Sequence, residues 1–134
     1  MTLRFVARAA GTERDPDFIE AGVAEGADGS GFLLSFMCGA GEPDEQDVSL
    51  GMDTHCLVTA GQGTAYGCVR SAVLDGNVLR VLLDPSALPA LGLADAEIEA
   101  VLEAPAEDIA AFRAVLPEVL AYGREDARPE RVMV

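Results

Sequence analysis

The sequence has no lysine and no tryptophan, a single histidine, three cysteines and no apolar run long enough to span a bilayer. With only His55, sites built from several histidines are excluded, and any dyad or triad that uses histidine depends on this residue. Cys38, Cys56 and Cys68 are odd in number and have no CxxC spacing, so we expect free thiols in a reducing cytoplasm. Residues 1–10 lack the apolar segment of a secretory signal, which agrees with a cytoplasmic location.

Negative charge dominates the composition. The 23 acidic residues outnumber the nine arginines, and the formal net charge is −14 over 134 residues. Such a chain repels phosphate backbones and anionic lipids, so neither nucleic acid nor a membrane is an expected partner. The same field can speed association with a basic protein by roughly 10- to 1,000-fold at low salt. Solubility alone would also explain the acidity, and composition leaves both interpretations open.

Hydrophobic alternation and turn residues place most of the predicted strands. We predict strands at residues 3–9, 18–24, 32–38, 53–59, 66–74 and 78–83. Asp75, Gly76 and Asn77 favour a two-residue hairpin turn before the last of these. Residues 39–47 are predicted to form an acidic loop, and the glutamates that alternate with aliphatic residues at 97–103 predict a charged edge strand.

One amphipathic helix follows the strands. It is predicted to begin at Pro105, and Ile109, Phe112 and Leu116 recur at helical spacing after it. This order of elements predicts an α+β fold in one domain: a curved, mostly antiparallel sheet of about six to seven strands with the C-terminal helix packed on one face. We assign residues 1–123 to the domain and residues 124–134 to a charged C-terminal tail that could be flexible.

The residues predict no catalytic, cofactor or metal site. His55 and Cys56 are neighbours in a predicted strand and point to opposite faces, so they cannot form a dyad. Asp53 lies on the same face as His55, and the two could hydrogen-bond, either as a structural pair or as the centre of a small enzyme. The acids at 44–53 do not have the spacing of a calcium loop. The glycines at 61–63 lack the lysine of a phosphate-binding loop.

Residues 44–56, which read DEQDVSLGMDTHC, and GQGTAYGCV from Gly61 resemble the immunity protein 10 family of bacterial polymorphic toxin systems. The resemblance extends over about residues 3–121. The chain departs from the family pattern at His55, where tyrosine is usual, and at Cys68, where glycine is common.

This resemblance implies a non-enzymatic immunity protein that binds and neutralises a cognate toxin, expected to be basic, in the producing bacterium. It makes the following residues candidates for partner contact: Glu45, Gln46, Asp47, Met52, Asp53 and His55. The matched positions could equally fix the geometry between loop and strand. An uncharacterised ligand-binding or regulatory domain, and a small enzyme using Asp53 and His55, are the alternative functions. Oligomeric state is not predicted.

Overall fold

A computed structural model of the chain describes residues 2–134 and has an α+β fold, which confirms the predicted fold class. The ten strands are β1 (Thr2–Ala7), β2 (Ala9–Arg14), β3 (Phe18–Ala24), β4 (Leu33–Gly39), β5 (Cys56–Thr59), β6 (Thr64–Tyr66), β7 (Val69–Asp75), β8 (Val78–Leu83), β9 (Glu97–Leu102) and β10 (Arg131–Met133). The helices are α1 (Glu45–Ser49), α2 (Leu88–Leu91) and α3 (Ala106–Leu120).

The strands form two five-stranded sheets. The first sheet has the order β1-β9-β8-β7-β10, with parallel pairs at β1–β9 and β7–β10 and antiparallel pairs between. The second sheet has the order β2-β3-β4-β5-β6 and is antiparallel throughout. The predicted hairpin is confirmed: β7 and β8 are joined by Gly76 and Asn77, and Gly76 has a φ of 63° that glycine tolerates best.

One hydrophobic core is continuous across both sheets and α3. The stripe predicted on the helix is buried at Phe112, Leu116 and Leu120, and α3 packs against β2, β3 and β4. The rings of Phe36 in β4 and Phe112 in α3 lie 6.3 Å apart, edge to face. The helix therefore covers one face of the second sheet, as the amphipathic pattern predicts.

The prediction of one sheet with six to seven strands is wrong, because ten strands form two sheets. The missed strands give weak sequence signals: β2 is exposed from Gly11 onward, and β6 and β10 have only three residues each. The prediction of an edge position for β9 is also wrong, since β9 lies between β1 and β8. Its Glu99 is flanked by Arg4 at 3.6 Å and Arg80 at 3.1 Å on these two neighbours.

Within the segment assigned to the tail, Arg131–Met133 forms β10 and pairs with β7. The amide of Glu130 donates to the carbonyl of Arg70 at 2.8 Å and leads the chain into this strand. These contacts place the last residues of the chain along the edge of the first sheet.

Candidate partner-binding surface

The short helix α1 is stabilised at its ends rather than by burial. Asp44 is its N-cap and accepts from the amide of Asp47 at 2.8 Å, while Asp47 accepts from the amide of Asp44 at 3.1 Å. This reciprocal capping box satisfies two amides that a helix start would leave free. The helix ends before Gly51, whose φ of 72° turns the chain away. No side chain of α1 is buried, so all of them are available at the surface.

Four large apolar side chains are exposed on α1 and beside it. The exposed fraction is 57% for Val48, 62% for Leu50, 39% for Met52 and 42% for Tyr66. We call these four residues the apolar patch. Met52 and Tyr66 line one small pocket of about 250 Å³ together with Asp47. Exposed apolar residues that cluster beside polar ones are typical of protein-binding surfaces.

Acidic side chains border the apolar patch. Glu42, Asp44, Glu45 and Asp47 lie in or next to α1, and none of them forms an ion pair with an arginine of residues 2–134. Unpaired carboxylates near an apolar surface attract a cationic partner and can pair with it on contact. The combination favours a basic protein surface as the occupant.

A groove opens next to Val48 of α1, between the loop at 39–43 and the C-terminal end of α3. We call it the helix-end groove; its volume is about 670 Å³, and Val48 and Tyr122 are among the residues that line it. The hydroxyl of Tyr122 donates to the carbonyl of Gly41 at 2.7 Å, which fastens the loop to the end of α3. The loop at 39–43 therefore forms one wall of the groove, and the C-terminal end of α3 forms the other.

Asp53 lies at the base of this region and connects two distant parts of the chain. Its carbonyl accepts from the amide of Arg124 at 3.0 Å, and Thr54 forms an antiparallel bridge with Gly123. A Cβ on Gly123 would lie 1.8 Å from the Asp53 carbonyl oxygen, so only glycine permits this approach. The Asp53 side chain is 4% exposed, with Oδ2 3.4 Å from Nε of Arg124. Its Oδ1 has no hydrogen-bond partner among residues 2–134.

His55 belongs to the interior. It is 0% exposed, and its Nε2 accepts from the amide of Val69 at 3.2 Å. Burial, with a smaller contribution from the charge of Arg70, lowers the pKa of His55 to about 4. The imidazole is therefore neutral at physiological pH. No hydrogen bond joins it to Asp53, because His55 Nδ1 and Asp53 Oδ1 both lack partners among residues 2–134.

The structure separates the six candidate contact residues into two groups. Glu45, Gln46 and Met52 are exposed and Asp47 is half-buried, so these four lie at the surface around α1. Asp53 and His55 are buried beneath it. Sequence reasoning missed Val48, Leu50 and Tyr66, although the apolar residues inside the otherwise polar stretch DEQDVSLGMD were a signal for the first two.

Comparison with protein families decides the affiliation of the chain. The model of immunity protein 10 matches residues 6–110. The chain belongs to the immunity protein 10 family. The family match contains α1 and all four residues of the apolar patch, and it ends within α3, before the residues that form the C-terminal wall of the helix-end groove.

Other comparisons add no relative to the immunity protein 10 assignment. Comparison with curated proteins gave no match, and comparison with solved structures gave none either. Among the helices of residues 2–134, none combines the length and the apolar character that crossing a bilayer requires.

Proposed function

We propose that the chain binds a cognate toxin of a polymorphic toxin system and neutralises it in the cytoplasm of the producing bacterium. The observation that carries this proposal is the apolar patch with its border of unpaired acids, which lies within the region of the immunity protein 10 match. The contact surface consists of the apolar patch with Glu45, Gln46 and Asp47. A basic toxin surface is the partner that fits this chemistry.

The energetics of the surface support a binding role. Burial of exposed aliphatic side chains stabilises a complex by roughly 25 cal/mol per Å² of apolar area before the cost of association is subtracted. The surrounding acids increase the rate of encounter and orient the partner, while the net charge of −14 extends the attraction beyond the contact itself. Free, buried Cys38, Cys56 and Cys68 suit a reducing compartment, which supports the cytoplasm as the place of action.

Co-expression with the toxin encoded beside the gene tests the proposal. Leu50→Asp places a charge at the most exposed residue of the apolar patch, and Met133→Asp is the matched control, because Met133 is 52% exposed on β10. We expect Leu50→Asp to weaken toxin binding and restore toxicity, whereas Met133→Asp protects cells like the wild-type chain. Equal killing by the toxin with and without the wild-type chain would refute the function for that pair.

Salt gives a second test of the same surface. Steering by the acidic border predicts that the association rate constant falls steeply as ionic strength rises, while the dissociation rate constant changes little. Glu45→Gln should reduce this dependence, because Glu45 is exposed and forms no ion pair with the arginines of residues 2–134. An association rate that is independent of salt would contradict an electrostatic role for the border.

A further inference from the structure

The helix-end groove contains a buried carboxylate with an unused acceptor. Asp53 lines the groove, its side chain is 4% exposed, and within the described part of the chain Oδ1 has no hydrogen-bond partner. An ionised carboxylate accepts several hydrogen bonds, and a buried one that lacks them is costly. A donor that enters the groove and reaches Oδ1 would remove this cost.

The internal partner of Asp53 does not use the carboxylate fully. Arg124 approaches Oδ2 through Nε at 3.4 Å and also lies 3.8 Å from the exposed Asp126. Its side chain is 50% exposed, so it can turn toward Asp126 and solvent without leaving a buried position. The Arg124 side chain can therefore give up its contact with Oδ2 of Asp53.

The side chains that line the groove include carboxylates, two arginines and one aromatic ring. Glu42 and Glu118 line the groove with Asp53, although Glu118 is already paired with Arg14 at 2.5 Å. Tyr122 supplies an aromatic ring in the same lining, and a guanidinium can stack on such a ring while its N–H groups donate to a carboxylate. Arg128, which also lines the groove, donates to the carbonyl of Gly123 at 3.1 Å.

We propose that the helix-end groove receives an arginine side chain of the partner protein, whose guanidinium donates to Oδ1 of Asp53. This inference rests on the toxin-binding function proposed above and specifies its chemistry. Val48 belongs both to the apolar patch and to the lining of the groove, so the two sites form one continuous surface. The bound arginine anchors the complex next to the apolar contact.

A titration with small probes tests the groove without the toxin. N-acetyl-arginine amide is added to the 15N-labelled full chain, and amide shifts are followed at Gly39, Gly41 and Gly123; N-acetyl-citrulline amide is the neutral control of the same shape. We expect saturable shifts with arginine and binding weaker by about tenfold with citrulline. Equal shifts with both probes, or larger shifts with acetate, would overturn the proposal.

Two matched variants identify the acceptor. Asp53→Asn removes the buried charge, whereas Asp126→Asn removes the charge of the exposed neighbour of Arg124. We expect only the first to lose arginine binding. If Asp53→Asn does not fold, Arg124→Ala provides the test: loss of the competing side chain should tighten arginine binding several-fold, and unchanged or weaker binding contradicts the proposal.

Binding measurements with the toxin distinguish failure of the arginine proposal from failure of the toxin-binding function on which it rests. If the toxin encoded beside the gene binds the wild-type chain and Asp53→Asn with equal affinity, the arginine anchor is refuted while the toxin-binding function stands. If that toxin does not bind the wild-type chain at all, the function is refuted for that pair, and the arginine titration still reports on the groove.

Discussion

Acidification should destabilise the protein through His55. In the folded chain this side chain is 0% exposed and its Nε2 accepts from the amide of Val69, so the single proton of the neutral ring lies on Nδ1. A second proton would have to enter at Nε2, where it faces the Val69 amide. Burial first, and the charge of Arg70 second, therefore hold the pKa of His55 at about 4.

The sign and size of the pH effect follow from the pKa of His55 in the folded and in the unfolded chain. The folded pKa of about 4 lies below the value of about 6.5 for an unfolded histidine, so the unfolded chain binds more protons between these two pH values. Stability is therefore fully present above about pH 6.5 and is lost as the pH falls toward 4. Between about pH 7.5 and pH 4.5 the loss amounts to about 2–3 kcal/mol.

Urea denaturation of the wild-type chain and His55→Gln over this pH range measures the effect. Carboxylates titrate in both proteins, so the difference between their free energies of unfolding isolates the histidine. We expect this difference to change by about 2–3 kcal/mol between about pH 7.5 and pH 4.5, in the direction of wild-type loss. Parallel pH profiles, or an NMR titration of His55 near pH 6.5, would refute the assignment of a buried neutral ring.

Three further predictions concern packing and reactivity. Gly123→Ala should lower the free energy of unfolding by more than about 2 kcal/mol, since its Cβ would lie 1.8 Å from the Asp53 carbonyl oxygen at a φ of 78°. Phe112→Ala should cost about 3–5 kcal/mol in the same urea assay, because the ring is 0% exposed in the shared core. Burial raises the pKa of Cys38 and Cys56 to about 11 and that of Cys68 to about 12, so a thiol reagent at neutral pH should react only as fast as the chain opens.

Controls separate these mechanisms from general effects. Gly76 also has a positive φ, of 63°, but no atom lies within 4 Å of a Cβ added there. Gly76→Ala should therefore cost only the conformational strain of about 1–2 kcal/mol. Equal losses for Gly123→Ala and Gly76→Ala would mean that the clash is absent. A small loss in Phe112→Ala would argue against a tightly packed helix face, and rapid thiol labelling under native conditions would argue against burial of the cysteines.

Local sequence patterns predicted which face of a strand or helix is buried better than they predicted which elements lie next to each other. Ile98, Ala100 and Leu102 are buried as their alternation indicates, yet β9 is an inner strand. Its pairing with β1 joins Leu3 to Ile98, and no local pattern encodes a contact over this distance in sequence. The same reason explains why two sheets were predicted as one.

The candidate surface was predicted only in part, because local patterns do not report contacts between residues that are distant in sequence. Residues 39–47 were predicted as a loop, although Asp44 and Asp47 have the spacing of a capping box and could have indicated α1. Alternation suggested that Asp53 and His55 share a face and could hydrogen-bond, but the chain at Asp53 precedes β5 and bridges to Gly123 through Thr54. The position of residues 123–124 beside this segment depends on tertiary packing of α3.

The bridge between Thr54 and Gly123 lies only a few residues along the chain from the exposed side chains of α1. Outward positions such as Val48 and Leu50 lie outside this closure, whereas the main chains of Asp53 and Thr54 form it. The exposed positions and the bridging main chain are therefore neighbours in one continuous segment, residues 48–54. Substitutions at the exposed positions can therefore change the surface of the protein while the bridge that closes the fold stays intact.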